Sequence, residues 1–192
     1  MTGQARRLGS AALAAGVALA LVAGCSGDAT PPATAAAFAS CAGLTAPDRD
    51  PGIRDGLPAL SFECLTGGAV VRLDQLAGPA VVNLWATWCA PCRAELPAFQ
   101  RLAERDASPV RVIGVLTGDE PSRAAEFGQA TGVRFPQLVD RDHQLGRALG
   151  HSVLPLTIFV DAGGRVAHVY RGPPLTDRAL SDLTAQRLGG VA

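Results

Sequence analysis

Apolar residues recur along this chain in more than one rhythm. Residues 79–86 (Pro-Ala-Val-Val-Asn-Leu-Trp-Ala) are almost continuously apolar, which predicts a strand buried on both faces. Residues 110–116 predict a second strand of that kind. Between them, over 91–105, Leu96, Phe99 and Leu102 fall at helical spacing and form one stripe. Residues 121–131 predict another amphipathic helix with Ala124, Phe127 and Ala130 inward. A short strand over 136–139 and a short helix over 143–149 follow. Strands over 156–160 and 165–170 are joined by Asp161-Ala162-Gly163-Gly164, a hairpin turn signal. The last helix is predicted over 176–188, capped by Thr176 or Asp177. Upstream, 69–73 predicts a short strand, and 41–64, with Pro47, Pro51 and Pro58, reads as loop-rich.

The order strand, helix, strand, helix, strand, hairpin, helix implies parallel early strands, because each needs a crossover helix, and an antiparallel close. The expected fold class is α/β, a central mixed β-sheet flanked by helices on both faces, with a loop-rich N-terminal extension. No internal repeat interrupts this order. At 192 residues the chain fits one ordinary domain plus additions. An apolar content of 48% excludes disorder throughout.

Charge narrows the function classes. Seventeen basic and 17 acidic residues balance, without a block of like charge, which argues against nucleic acid as a partner. Every basic residue is Arg. The N-terminus departs from the rest. Arg6 and Arg7 precede an uncharged Ala/Leu/Val run over 11–23, shorter than the roughly 20 residues of a membrane span, as in a secretory signal peptide. The run ends Leu21-Val22-Ala23-Gly24-Cys25 and resembles a bacterial lipobox. The expectation is a lipoprotein signal peptide over 1–24, lipidation at Cys25, a lipid-anchored flexible linker over 25–45, and a folded domain over 46–192. Ordinary cleavage near Ala23 is the competing reading. Without residues 1–24, 15 basic residues face 17 acidic ones.

Five cysteines stand at 25, 41, 64, 89 and 92. If Cys25 is lipidated, four remain, an even number in an oxidising compartment. Cys89-Ala90-Pro91-Cys92 ends a buried strand and opens a helix. Unpaired N–H groups and the helix dipole stabilise a thiolate there, and Pro91 is tolerated because early helix N–H groups lack partners. Cys89, at the exposed tip, would attack a partner disulfide, and the covered Cys92 would complete the exchange. A zinc site is the competing reading. It would need a second ligand pair, but Cys41 and Cys64 are 23 apart, and His143, His151 and His168 are scattered. A purely structural disulfide is another. No metal or cofactor is expected.

The segment Val81-Val82-Asn83-Leu84-Trp85-Ala86-Thr87-Trp88-Cys89-Ala90-Pro91-Cys92-Arg93-Ala94-Glu95-Leu96-Pro97 resembles the thioredoxin-fold family of TlpA, ResA and CcmG proteins, over roughly residues 55–190. The resemblance implies a thioredoxin fold and an extracytoplasmic thiol–disulfide oxidoreductase. Leu154-Pro155-Leu156-Thr157 resembles the family's cis-proline loop. By resemblance Pro155 is cis and faces the cysteine pair, and Leu154 presents its backbone to an extended substrate. A trans proline entering an edge strand is the other reading. Asn83 matches the family's buried position in this strand. Glu95, three residues after Cys92, shares its helix face. If partly buried it would have a raised pKa and exchange a proton with Cys92; otherwise it is a solvated first-turn charge. Pro97 is expected to kink the helix, Trp85 to lie in the core, and Trp88, Ala90 and Pro91 to contact substrate. Cys41 and Cys64 depart from the minimal family pattern. A bond between them reads as a structural clamp, with a second redox pair as the alternative.

The implied function is an enzyme that reduces disulfides of exported proteins such as apocytochrome c through Cys89 and Cys92. Its electrons would come from a membrane donor of the CcdA or DsbD type, and a lipid anchor would hold it outside the cytoplasmic membrane. The alternatives are an oxidase that installs disulfides in secreted proteins and a non-enzymatic binding or chaperone module on the same fold. A peroxiredoxin would need Thr or Ser where Ala86 stands.

Overall fold

A computed structural model describes residues 38–46, 55–105 and 109–189. Seven strands form one sheet in the order β2-β1-β5-β4-β3-β6-β7: β1 (Ser61–Cys64), β2 (Val70–Arg72), β3 (Ala80–Trp85), β4 (Arg111–Thr117), β5 (Gln137–Asp140), β6 (Leu156–Val160) and β7 (Val166–Tyr170). The helices are α1 (Ala90–Ala103), α2 (Pro121–Thr131), α3 (Gln144–Ala148) and α4 (Asp177–Leu188). As the crossover argument requires, β3, β4 and β5 pair in parallel, while β6 and β7 close the sheet antiparallel. The thioredoxin-like mixed α/β architecture is the expected one.

Every side chain of β3 is buried, because both faces of the sheet are covered. Alternation sorts them. Val81 and Trp85 join a core with Leu96, Phe99 and Leu102 of α1 and Leu180 of α4. Ala80, Val82 and Leu84 join a second core with Leu145 of α3 and with Cys41, Leu44 and Cys64. In α2, Ala124 is buried and Phe127 stacks obliquely on Trp85 with ring centroids 5.5 Å apart. Ala130, expected to face inward, is exposed, and the buried position on the next turn from Ala124 is Gly128. There a side chain would meet the Phe38 ring.

Two differences concern the N-terminal extension. Residues 61–64, read as loop, are β1, paired antiparallel with both β2 and β5. Residues 38–45, expected in the linker, are packed: Phe38, Cys41 and Leu44 are buried, and the Ala39 N–H donates to the Arg134 carbonyl at 2.6 Å. A disulfide joins Cys41 to Cys64, Cα–Cα 5.9 Å, and fastens this segment to β1. Residues 1–24, Cys25, Pro47 and Pro51 lie outside the described residues. Among those described, no helix is long and apolar enough to cross a membrane.

Candidate active site

The site grows from the C-terminal end of β3. The strand stops at Trp85 and the Cys89 N–H returns to the Ala86 carbonyl at 3.2 Å, a tight turn into α1. Cys89 is the N-cap residue of that helix. Its sulfur accepts from the Cys92 N–H at 3.2 Å, one of the donors a helix start leaves unpaired. Pro91 occupies the first turn, where no backbone donor is required. The helix continues through Pro97 to Ala103, so this proline does not end it. Cys89 and Cys92 are joined by a disulfide, Cα–Cα 5.3 Å. Cys92 is fully buried. Cys89, expected at an exposed tip, keeps only 5% of its surface. The exposed group at the tip is Trp88 at 58%. Ala90, exposed beside it, lies between the two cysteines.

Glu95 projects from α1 into the core at 1% exposure. Its carboxylate accepts from Asn83 Nδ2 at 2.7 Å and from the Leu175 N–H at 3.0 Å, at the chain's approach to α4. Burial raises its pKa above the ordinary glutamate value, and the hydrogen bonds from Leu175 and Asn83 offset only part of that rise. The solvated reading of Glu95 is thereby excluded. Asn83 also donates to Thr157 Oγ1 at 3.3 Å, while its buried Oδ1 has no partner among the described residues. Trp85 is fully buried and donates to Gln137 Oε1 at 2.8 Å.

The Leu154–Pro155 peptide is cis. β6 pairs antiparallel with β3 so that Leu156 faces Leu84, and the residues before Leu156 therefore lie toward the end of β3 from which the Cys89 turn departs. Leu154 packs against the core that contains Cys89 and Cys92. The sequence reading brought Cys89, Cys92, Glu95, Trp88, Leu154 and Pro155 into one constellation, and the fold places them at one end of β3, α1 and β6. Cys41 and Cys64 lie in the other core.

Asp119 is the residue that sequence reasoning missed. It follows β4 and is buried. Its carboxylate accepts from the Thr87 N–H at 2.6 Å and from the Thr87 hydroxyl, from the Glu120 N–H at 2.7 Å, and from Arg123 Nε at 2.9 Å. Burial alone would raise its pKa. The Thr87, Glu120 and Arg123 hydrogen bonds outweigh burial and hold it below the ordinary aspartate value. Arg93 Nη1 donates to the Thr87 carbonyl at 2.6 Å, and Trp88 Nε1 donates to the Gly118 carbonyl at 3.2 Å. The residues before Cys89 are thus tied to the end of β4. Gly118 has φ +59°, and a side chain there would run into the His143 ring. Among the described residues, no group of three or more His, Cys, Asp or Glu stands together as a metal site.

The Redoxin family model matches residues 46–186. Among relatives, the thiol-disulfide oxidoreductase ResA of Bacillus subtilis is 32% identical over 119 residues, covering 61% of this chain and 66% of its own. The thiol:disulfide interchange protein DsbE homolog of Paracoccus denitrificans is 33% identical over 164 residues, covering 77% of this chain and 89% of its own. The chain spans 59% of the Geobacillus thermodenitrificans ResA that it also matches. Among solved structures, MTB dsbF superposes with a TM-score of 0.62 at 29% identity, covering 70% of this chain and 98% of that one. A DsbF homologue from Corynebacterium diphtheriae superposes at 0.60 and 28%, covering 78% and 97%. A family match across most of the chain, joined by these relatives, shows that this chain belongs to the Redoxin family, in its TlpA, ResA and CcmG branch of thioredoxin-like proteins.

Proposed function

We propose that the chain reduces disulfides of exported proteins through Cys89 and Cys92. The observation that carries this reading is a disulfide closed across the first turn of α1, with a buried carboxyl, Glu95, three residues beyond it. In the reduced protein, unpaired N–H groups and the helix dipole favour Cys89 as thiolate. The thiolate attacks one sulfur of a substrate disulfide. The substrate S–S bond breaks, a Cys89–substrate bond forms, and the first substrate sulfur leaves as a thiolate that takes a proton. Cys92 then loses its proton to the Glu95 carboxylate and attacks the Cys89 sulfur. The second substrate thiolate leaves and the Cys89–Cys92 disulfide forms, so the substrate gains the two electrons that the pair loses. Glu95 suits the proton step because burial lifts its pKa toward the working range of a general acid or base.

The proposed substrates include apocytochrome c, with electrons returned by a membrane donor of the CcdA or DsbD type. The chain works outside the cytoplasmic membrane, held by lipid on Cys25 after removal of residues 1–24. The names of similar proteins, thiol-disulfide oxidoreductase and thiol:disulfide interchange protein, support the chemistry. The substrate rests on the family resemblance alone. In Cys92→Ser the exchange stops at the first step, so the natural substrate stays linked to Cys89 and is identified by mass spectrometry. Absence of any mixed disulfide under conditions that trap a test peptide would contradict the reading. A measured potential nearer about −270 mV than about −120 mV supports reduction, and the reverse supports oxidation.

A further inference from the structure

At the segment before Pro155, on the sheet face that carries Leu84, lies a cavity of about 210 Å³ that the exchange steps do not use; Leu154 packs against both this side and the core of the cysteine pair. Leu84 and Leu154 supply its apolar surface, His143, Arg147 and His151 its polar surface, and Val153 also lines it. It is smaller than the roughly 300–1,000 Å³ of a site for a whole small molecule, and suits a single side chain. No carboxylate lines it. Arg171 Nη1 approaches His151 Nδ1 at 3.4 Å and brings a second guanidinium to this side. Among the described residues, neither Arg147 nor Arg171 forms a salt bridge. The nearby acids are otherwise placed: Asp140 accepts from the Gln144 and Leu145 N–H groups, and Asp142 lines an adjoining depression with Arg141 and Arg147.

The cavity adjoins the proposed reaction path at two points. Leu154 belongs to both, being a cavity residue and the residue before the cis proline. His143 lies against Gly118, whose carbonyl accepts from Trp88, the residue before Cys89. Only three large apolar side chains among the described residues are exposed, and two flank this region: Trp88 at 58% and Val153 at 63%. An extended chain crossing the Leu154 backbone sends alternate side chains to the same side.

We propose that this cavity is a specificity subsite: it takes an apolar side chain of the substrate segment flanking the attacked cysteine, while Arg147 and Arg171 read a carboxylate next to that side chain. The inference rests on the proposed exchange function and names its substrate class, polypeptides whose reactive cysteine sits in an apolar-acidic context. Charge complementarity selects this occupant, since the rim is cationic and the lining holds no acid. Partly exposed pairs of this kind give modest discrimination, about fivefold for two contacts at low salt.

The test measures binding without thiol chemistry. Two short peptides carry Ser in place of Cys and an adjacent Leu, and differ only in Glu or Gln beside that Leu. Each is titrated into the oxidised full chain and followed by backbone amide shifts. The expected result is shifts at Gly118, Arg147, Val153 and Leu154, with the Glu peptide about fivefold tighter at low salt. That preference falls below about twofold in 0.5 M NaCl and in the Arg147→Gln/Arg171→Gln variant, and persists in Arg147→Lys/Arg171→Lys. Equal affinities, shifts confined to other surfaces, or a preference that survives the double Gln variant would overturn the proposal. The Cys92→Ser trap reports on the exchange reaction separately, so failure there with the binding preference intact strikes the proposed function and not the subsite.

Discussion

The two disulfides of the described residues differ in almost everything except burial. Cys41–Cys64 lies in the core that contains Leu145, Val82 and Leu138, while Cys89–Cys92 lies in the core that contains Leu96, Phe99 and Trp85. The sheet stands between those cores, so the arrangement does not favour direct electron relay between the pairs. The first bond spans 23 positions and ties the N-terminal segment to a strand paired on both sides. The second spans three and closes on a helix N-terminus. A long closed loop restricts the unfolded chain, so the first bond is expected to act on stability. A short loop restricts little, but a helix start stabilises the thiolate released when the bond opens. Burial alone therefore does not tell a clamp from a redox pair; loop length and the N–H groups facing the sulfur do.

The comparison breaks most sharply at Cys89. Cys89→Ser is expected to lower disulfide reduction by at least about 10³-fold with little change in the unfolding midpoint, checked by insulin turbidity and denaturant melts. Cys41→Ala/Cys64→Ala is the converse. It should lose about 3 kcal/mol of stability and keep the rate within about threefold. Equal rate losses in both variants would erase the distinction.

Glu95→Gln should slow reduction about 100-fold. The raised Glu95 pKa predicts a rate that climbs with pH through that value, and the variant should lack this rise. For stability, a raised folded pKa means a contribution fully present below the unfolded value near 4.5 and lost as pH climbs through the folded value. The variant should therefore gain stability relative to the native chain as pH increases above 4.5, measured by paired melts. Asp119→Asn sharpens a smaller effect. Its depressed pKa gives stability that is present above 3.8 and lost as pH falls through the folded value. The variant should cost about 1–2 kcal/mol at neutral pH, lose less on acidification, and loosen the turn before Cys89, seen as faster amide exchange at Thr87 and Trp88.

Much of this was legible in the sequence because its signals are local. Continuous apolar runs gave β3 and β4, a three-to-four rhythm gave α1, and two cysteines at a helix start marked the site. What escaped depends on distant partners. Ser61-Phe62-Glu63-Cys64 alternates over only four residues in a Pro- and Gly-rich stretch, and its strand state comes from pairing with β2 and β5. Phe38 and Leu44 look like scattered apolar residues in a tether until the Cys41–Cys64 bond holds them against the core. Asp119 reads as an ordinary loop acid, since its partner Thr87 lies 32 positions earlier. Cys89 was expected at an exposed tip because it caps a helix, but Trp88 is the residue that reaches solvent there.

The most direct measurement is a thiol redox titration of the native chain with alkylation at each step and mass-spectrometric mapping of Cys41, Cys64, Cys89 and Cys92. The account predicts that Cys89–Cys92 opens as one two-electron step while Cys41–Cys64 stays closed until the protein unfolds. Simultaneous opening of both bonds, or opening of Cys41–Cys64 first, would contradict it.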